Sequence, residues 1–283
     1  MLFDTDIGTN VDDALALAYL LQQPRCELLG ITTVTGDTAK RAALAAVLCE
    51  AAGRPQIPVH RGAENVLLYG PGQPEVPQYA AVAHRLGKAD WPAGTAVRFM
   101  QGVIRSRPGE VTLLAVGPPT NVALLFALDP EAPGLLRSFV SMAGSFSGAY
   151  PKSRDWNSVC DPLATAIAFQ AGARSPQRRH VGLDVTMRCR LSADEVRRRC
   201  RGPVLEAVLE MAGPWFAEHD HVTFHDPLAA LSVFEPDLCA YRRGRVSVDD
   251  EGHTHFTEDA SGPEEVAVSV EPERFFEAYF SVF

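Results

Sequence analysis

The first thirteen residues concentrate negative charge where a folded chain tolerates it only under special conditions. Asp4, Asp6, Asp12 and Asp13 lie within ten residues, with Asn10 among them, just before a run rich in alanine and leucine. Carboxylates this close repel one another, and burying them is costly unless a positive charge lies among them. Because Ca²⁺ and Mg²⁺ bind oxygen ligands, a hard cation is the simplest partner for this segment, the acidic loop (residues 4–13).

Helix capping is the competing explanation for the acidic loop. Asp12 and Asp13 stand at a predicted helix start, where the helix dipole favours anions. One or two acids suffice for capping, however, and Gly8 permits a sharp turn that would bring Asp6 back toward both. An extended chain would also point Asp4 and Asp6 to the same side. We therefore favour the cation site.

Strand-like and helix-like segments alternate through the first two thirds of the chain. The predicted strands are 1–5, 27–34, 57–60, 111–116, 139–143 and 180–185, and the predicted helices are 12–22, 38–52, 93–106, 121–128 and 162–170. Alternating strands and helices favour an α/β fold with a mostly parallel central sheet flanked by helices.

The C-terminal third predicts helices at 192–200, 203–216, 225–233 and 272–283, and a small hairpin of strands 243–248 and 266–270. Segments 62–91 and 144–159 are predicted as long loops, which in compact domains often carry function. Since no linker or repeat interrupts the pattern, we predict a single domain over residues 1–283.

Composition limits the location and the partners of the chain. The net charge of −9 argues against nucleic acid or an anionic membrane as a partner. No run of residues is apolar enough to span a bilayer, and no basic leader precedes the acidic loop, so we expect a cytoplasmic protein. We interpret the arginines of segment 174–201 as a solvated surface and the six cysteines, which form no CxxC pair, as buried thiols.

Three further polar clusters fall where a parallel sheet gathers its ligand-binding groups, beyond the carboxyl ends of strands. They are segments 117–121, 144–161 and 225–227. Asp161, followed by proline, is interpreted as a helix cap. For Asp226 the neighbouring His225 leaves a cap and a functional role equally open.

Together these motifs resemble the inosine–uridine-preferring nucleoside hydrolase family. DTDIGTNVDDALAL is followed in the family's order by TLLAVGPPTNVAL, DWNSVCDPLAT and FHDPLAAL, and IPVHRGAENVL and LDVT are also similar. The resemblance implies a nucleoside hydrolase-like fold and an enzyme of purine or pyrimidine salvage. Such an enzyme cleaves a ribonucleoside to free base and ribose with one bound Ca²⁺. It also implies a homodimer or homotetramer.

The resemblance implies a role for each matching residue. Asp6, Asp13 and Asp226 would bind calcium through carboxylates, and Thr120 through its backbone carbonyl. Asp6 would also be the general base on the calcium-bound water, and His225 the general acid at the leaving base. The implied substrate-binding residues are Asp12 and Asn157 at the ribose hydroxyls, Asp155 near the 5′ end, Met142 against the sugar and Asp37 near it.

Four positions depart from the family pattern. Asn10 stands where relatives with this longer loop often have aspartate, and Ala149 where many active members have a ribose-binding asparagine. Asp155 replaces a more usual glutamate, and Asp37 an asparagine. These departures leave open a different sugar, a 5′-modified ligand or weak activity on ordinary nucleosides. Of the residues crowded just before His225, some could stack on the base, and half or more are expected to be core or loop residues. They are Trp215, Phe216, His219, His221 and Phe224.

Two other functions compete with hydrolysis of nucleosides. A nucleoside- or sugar-binding relative would keep the cation and lose turnover. A haloacid-dehalogenase-like phosphatase would use Asp4 and Asp6, but Ile7 stands where that motif needs a glycine followed by a threonine.

Overall fold

The computed structural model describes residues 1–87, 90–147, 155–172 and 174–283. Within these ranges the strands are β1 (Leu2–Thr5), β2 (Gly30–Thr33), β3 (Val59–Arg61), β4 (Thr112–Ala115), β5 (Ser138–Ser141), β6 (Arg178–His180), β7 (Arg190–Ser192), β8 (His221–Thr223), β9 (Cys239–Val248), β10 (Thr254–Glu258) and β11 (Glu264–Val270).

The helices of the same ranges are α1 (Asp12–Gln22), α2 (Thr38–Ala51), α3 (Gln78–Ala81), α4 (Ala96–Ser106), α5 (Thr120–Leu128), α6 (Ala132–Leu135), α7 (Trp156–Cys160), α8 (Pro162–Gly172), α9 (Leu183–Thr186), α10 (Ala193–Arg199), α11 (Pro203–Met211), α12 (Gly213–Glu218), α13 (His225–Ser232) and α14 (Pro272–Phe280). A short 3-10 helix spans Ala83–Arg85.

Nine of the described strands form one sheet, in the order β10-β9-β11-β6-β5-β4-β1-β2-β3. From β11 to β3 each strand runs parallel to its neighbour. Strand β9 runs antiparallel to both of its neighbours, β11 and β10. The strand that precedes the acidic loop, β1, lies between β2 and β4. The loops that follow the parallel strands therefore meet at one edge of the sheet, with the acidic loop near their centre.

Alternating side chains of the parallel strands supply a core on each face of the sheet. Phe3, Ile31 and Leu114 face one buried apolar cluster, together with residues of α1, α2, α11 and α13. Leu2 and Leu113 face a second cluster, together with residues of α4, α5 and α8. Helices thus cover both faces, and the predicted α/β fold with a mostly parallel sheet is confirmed.

The predicted strand 180–185 is wrong after its first residue. His180 ends β6, and Leu183–Thr186 form the short helix α9. The chain leaves the sheet here because the amide of Leu183 donates to the carbonyl of Gly144 at 2.8 Å rather than to a neighbouring strand. Val185 then donates to the carbonyl of Gly182 at 3.2 Å, which begins a helical turn.

The predicted C-terminal hairpin is larger than expected and belongs to the main sheet. The hairpin is formed by β9 and β10, and β11 returns between β9 and β6. Burial explains this placement, since Val266 and Ala267 of β11 are almost fully buried against the core.

Other elements also differ from the prediction. The predicted helix 203–216 divides into α11 and α12 at Gly213 and Pro214, since proline cannot continue the hydrogen-bond pattern of a helix. Both long loops contain a short helix, α3 or α7, and the small antiparallel pair of β7 and β8 was not predicted.

All six cysteines are buried and free, as predicted. The arginine-rich segment is not wholly solvated, because Arg178 is buried in an ion pair with Glu264. No helix among the described residues is long and apolar enough to cross a membrane.

A buried histidine makes the stability of this fold depend on pH. His180 lies beside the ring of Phe169, and its Nδ1 shares a 2.8 Å hydrogen bond with the Ser141 hydroxyl. Burial, aided by the charge of Arg178, lowers the pKa of His180 from 6.5 to about 3. Below pH 6.5 the unfolded chain therefore binds a proton that the folded chain does not, and acid destabilises the fold.

We predict that His180→Leu removes this loss of stability in acid. Between pH 6.5 and 4.5 the wild type should lose about 1.4 kcal/mol per pH unit relative to the variant, measured by urea unfolding. Ser141→Ala, which keeps the imidazole, should retain the wild-type slope. Parallel stability curves for wild type and His180→Leu would contradict the prediction.

Candidate active site

A cavity opens at the carboxyl edge of the sheet, where the loops after β1, β4 and β5 meet α7, α9 and α13. The described residues that line it are Asp6, Thr9, Asn10, Asp12, Asp13, Gln73, Val116, Met142, Asp155, Trp156, Asn157, Leu183, His225 and Asp226. One end of the cavity is acidic, and Val116, Met142 and Leu183 contribute an apolar wall.

Three carboxylates converge at the acidic end. Asp12, Asp13 and Asp226 each place a carboxylate oxygen within 4.8 Å of the other two, and all three are buried. They come from the first turns of α1 and α13, two helices that pack together. Burial and then mutual repulsion raise the pKa of Asp13 and Asp226 well above the ordinary value, and burial raises that of Asp12 to about 7.

Asp6 lies in the same cavity, outside this closest group. Its side chain is buried, and its charge helps to raise the pKa of Asp12, Asp13 and Asp226. Gly117 leaves room for it, because a Cβ at that position would lie 3.0 Å from the Asp6 Oδ1 and 2.8 Å from its amide nitrogen. The loop after β4 therefore packs directly against this carboxylate.

The donor set of the acidic end suits a hard divalent cation. Every group that the four acids offer is a carboxylate oxygen, the ligand type that Ca²⁺ and Mg²⁺ prefer. Arg41 is the cation whose charge acts on Asp6 and Asp13, but its guanidinium donates to the main-chain carbonyls of Asp6 and Ile7. Asp13 accepts from the Thr5 hydroxyl through Oδ1, and Asp12 from the amide of Asp226 through Oδ2 at 3.4 Å, so each keeps a second carboxylate oxygen for a metal ion.

Asn157, Met142 and Asp155 lie beside the acidic end. The side-chain Nδ2 of Asn157 donates to the main-chain carbonyls of Val116 at 2.5 Å and Met142 at 3.0 Å. The side-chain oxygen of Asn157 is thereby left for a ligand. Asp155 caps α7, since its Oδ2 accepts from the amide of Ser158 at 2.8 Å and from the Ser158 hydroxyl at 2.5 Å.

His225 lies next to Asp226 at the start of α13. Its Nδ1 shares a 2.7 Å hydrogen bond with the hydroxyl of Thr186 in α9. Burial lowers the pKa of His225 to about 4, so its imidazole is neutral at physiological pH. The side chain can therefore donate one ring proton, and the bond to Thr186 sets its orientation.

Two residues that the resemblance implies for the site are not among the described residues that line this cavity. The hydroxyl of Thr120 donates to Asp161 at 2.7 Å. Asp37 caps α2 and forms a 3.0 Å ion pair with Lys40, in a separate groove that shares Gln73 with the cavity.

The other positions noted in the sequence have mixed outcomes. Asp161 accepts from the amide of Ala164 at 3.1 Å, which confirms the predicted cap. Asn10 bonds the amide of Val11 at 2.7 Å through its side-chain oxygen. Ala149 lies outside the described residues. Of the aromatic residues before His225, Phe224 is buried among residues of α14, and the ring of Trp215 stacks on His219 at 3.9 Å.

Several lining residues were not predicted from the sequence. Trp156 lines the cavity with a partly exposed indole. It stands beside Asn157 in a quoted motif, and this position next to a predicted binding residue was the clearest sequence signal that was missed. Gln73 lies in a loop rich in glycine and proline, where no pattern identifies a binding residue. Arg41, which does not line the cavity but contacts the acidic loop from behind, falls in an alanine-rich helix and gives no sequence sign that it is buried.

Comparisons with known proteins agree with one another. The family model described as inosine-uridine preferring nucleoside hydrolase matches residues 1–277 of this chain. Uridine nucleosidase 1 of Arabidopsis thaliana is 31% identical over 271 residues, which cover 89% of this chain and 79% of that protein. A pyrimidine-specific ribonucleoside hydrolase of Klebsiella pneumoniae is 30% identical, covering 89% of this chain and 85% of that protein.

Solved structures show the same fold. A plant nucleoside hydrolase superposes with a TM-score of 0.84 at 24% identity, covering 99% of this chain and 97% of that one. A purine-preferring ribonucleoside hydrolase from Gardnerella vaginalis superposes with a TM-score of 0.80 at 24% identity, covering 99% and 96%.

We predict that Asp226→Asn stabilises the metal-free protein and abolishes stabilisation by calcium. At pH 8 the crowded carboxylates must stay charged or take up protons, and both cost free energy. Removing one acid should raise the melting temperature in EDTA by about 2–4 °C, the shift that ~1 kcal/mol produces in larger domains. Calcium at about 100 times Kd should stabilise the wild type by about 2.7 kcal/mol and the variant by much less.

The control is Asp194→Asn, whose side chain is 94% exposed on α10. It should melt like the wild type with and without calcium. A calcium shift in Asp226→Asn equal to that of the wild type would remove Asp226 from the metal site.

Proposed function

The chain belongs to the inosine–uridine-preferring nucleoside hydrolase family, and from that premise we propose how its acidic cavity carries out the reaction. The enzyme hydrolyses the N-glycosidic bond of a ribonucleoside to free base and ribose. The observation that carries the proposal is the meeting of Asp6, Asp12, Asp13, Asp226 and His225 in one cavity.

The acidic end suits the charge that develops during the reaction. Cleavage of an N-glycosidic bond passes through an oxocarbenium-like state, in which positive charge grows on the sugar. Carboxylates that are already fixed and buried near that charge stabilise it without reorganising. The apolar wall of Val116, Met142 and Leu183 keeps bulk water from the reacting sugar.

We propose Ca²⁺ as the resident metal of the acidic end. Asp6, Asp13 and Asp226 would hold it through carboxylates, and Thr120 through its backbone carbonyl. When bound, the ion supplies positive charge that orients oxygen ligands and lowers the pKa of water. The close approach of Asp12 to Asp13 and Asp226 supports an acidic metal site in which Asp12 faces both metal and sugar.

Asp6 is the proposed general base. Its carboxylate takes a proton from the attacking water, and the nearby apolar wall limits competition from solvent. Asp12 and the amide oxygen of Asn157 hold the ribose hydroxyls, and Met142 packs against the sugar.

The 5′ side of the sugar is less conventional. Asp155 and Asp37 are the proposed contacts there, but both carboxylates already cap helices. Because both carboxylates already accept hydrogen bonds as helix caps, we propose that the site prefers a different group at the 5′ end of the sugar, in line with the departures from the family pattern.

His225 is the proposed acid for the leaving base. When the Thr186 hydroxyl donates to Nδ1, the proton of the neutral ring lies on Nε2 and donates a hydrogen bond to the departing base, and full proton transfer takes place from the imidazolium form, which returns to the neutral ring. A free nucleoside is the proposed partner, in a cytoplasmic homodimer or homotetramer.

We predict that Asp6→Ala lowers kcat/KM by about 10³-fold or more while the fold survives, because the water loses its base. Release of reducing sugar from inosine, uridine and p-nitrophenyl riboside would be measured with and without EDTA. Asp129→Ala is the matched control, since it removes a buried carboxylate that pairs with Arg105 at 2.6 Å and lies outside the cavity lining. Wild-type rates in Asp6→Ala would exclude the base. Calcium binding without sugar release by the wild type would instead indicate a binding protein.

We predict that the effect of His225→Ala depends on the leaving group. Inosine needs a proton on its departing base and should lose about 10²-fold or more in kcat/KM, whereas p-nitrophenyl riboside should lose less than about 10-fold. His253→Ala, in the turn between β9 and β10, should leave both rates unchanged. Equal losses on both substrates would argue against His225 as the acid.

A further inference from the structure

We propose that Arg41 is a positioning residue whose buried guanidinium holds the main chain of the acidic loop in the shape that presents its carboxylates to a divalent cation. This inference rests on the proposed metal-dependent function. Arg41 itself touches neither the metal nor the substrate. It acts from the side of the loop that faces α2.

Arg41 is one of the largest fully buried side chains of the protein, with 0% exposure. A buried guanidinium is stable only if its donors are paired. In most proteins a carboxylate provides that pairing. Here main-chain carbonyls provide it, although several carboxylates lie in the same region.

The carbonyls come from three segments that frame the cavity. Nη1 donates to the carbonyls of Asp6 and of Ile7, the latter at 3.0 Å, in the acidic loop. Nε donates to the carbonyl of Thr35 at 2.7 Å, between β2 and α2. Nη2 donates to the carbonyl of Gln73 at 2.6 Å. One planar group thus fixes three separate loops relative to one another.

The acidic loop needs this support because its main chain turns away from any strand. Gly8 has a φ of +128°, and a Cβ there would lie only 2.4 Å from the side chain of Val76. The carbonyls before this turn are buried and cannot pair within a strand or helix. A buried carbonyl without a donor is destabilising, so the loop would rearrange if the guanidinium were removed.

The positive charge of Arg41 cannot explain the arrangement by itself. A cation near the acids repels a bound divalent ion, so charge alone would weaken metal binding. If geometry is the contribution that matters, removing the guanidinium weakens metal binding. If charge is what matters, a neutral replacement strengthens it. The two effects have opposite signs.

The test compares Arg41→Lys and Arg41→Gln with the wild type. Lysine keeps the charge but not the planar fork, and glutamine keeps N–H donors but not the charge. Affinity for Ca²⁺ would be measured by calorimetry, and affinity for Tb³⁺ by luminescence, on variants shown to be folded by circular dichroism. We expect both variants to bind both ions at least 10-fold more weakly. Saturating Ca²⁺ should restore much of the kcat of Arg41→Lys but none of the kcat of Asp6→Ala.

Arg178→Lys is the matched control. Arg178 is equally buried, but it pairs with Glu264 in β11 and does not contact the acidic loop. It should lower the melting temperature and leave the metal affinity within about 2-fold of the wild type.

Three outcomes would overturn the inference. They are wild-type affinity in Arg41→Lys, tighter binding in Arg41→Gln, and an equal loss of affinity in Arg178→Lys, which would show that affinity merely follows stability. Each leaves the proposed hydrolysis standing. A wild type that binds neither ion would overturn both the inference and the proposed metal.

Discussion

The repulsion among four buried carboxylates at one edge of the sheet is the constraint on which the rest of this structure depends. Asp6, Asp12, Asp13 and Asp226 reach the same cavity because β1 lies at the middle of the parallel strands and α13 packs beside α1. Hydrogen bonds and apolar packing do not cancel the mutual repulsion of such a group when it is ionised. The surrounding structure fixes the position of the acids. Gly117 leaves room for Asp6, and Arg41 donates a hydrogen bond to the main-chain carbonyl of Asp6. In the proposed enzyme a bound cation supplies the missing charge.

Much of the fold could be predicted because its pattern is local. The first strand and the helix 12–22 follow from an apolar run and an alanine- and leucine-rich run, and both occur where expected. The errors arose where tertiary contacts decide the structure. Segment 180–185 is apolar enough for a strand, but a carbonyl at Gly144 captures Leu183 and starts a helix instead. The C-terminal hairpin was recognised as strands, yet nothing in its sequence indicates that β11 would pair with β6.

The site could be predicted mainly where a motif contains the residue that matters. The structure brings together Asp6, Asp12, Asp13, Asp226, His225, Asn157 and Asp155, which lie within quoted motifs, and Met142, which lies near the end of a predicted strand. Thr120 lies in a quoted motif and Asp37 outside all of them, and their side chains bond Asp161 and cap α2. Gln73 and Arg41 contribute through their place in space, and composition gives no sign of it.

The bonds of Arg41 have a consequence for how this enzyme can change. The guanidinium of Arg41 donates to the main-chain carbonyls of residues 6, 7, 35 and 73, and every amino acid has a main-chain carbonyl. Substitution at position 73 can therefore alter the wall of the cavity while the frame behind the acids stays intact. Substitutions at position 73 can therefore change which substrate fits the cavity, whereas almost no substitution at position 41 preserves these hydrogen bonds. The molecule thus separates a cavity wall made of side chains from a support behind the acids that is made of main-chain carbonyls and one guanidinium.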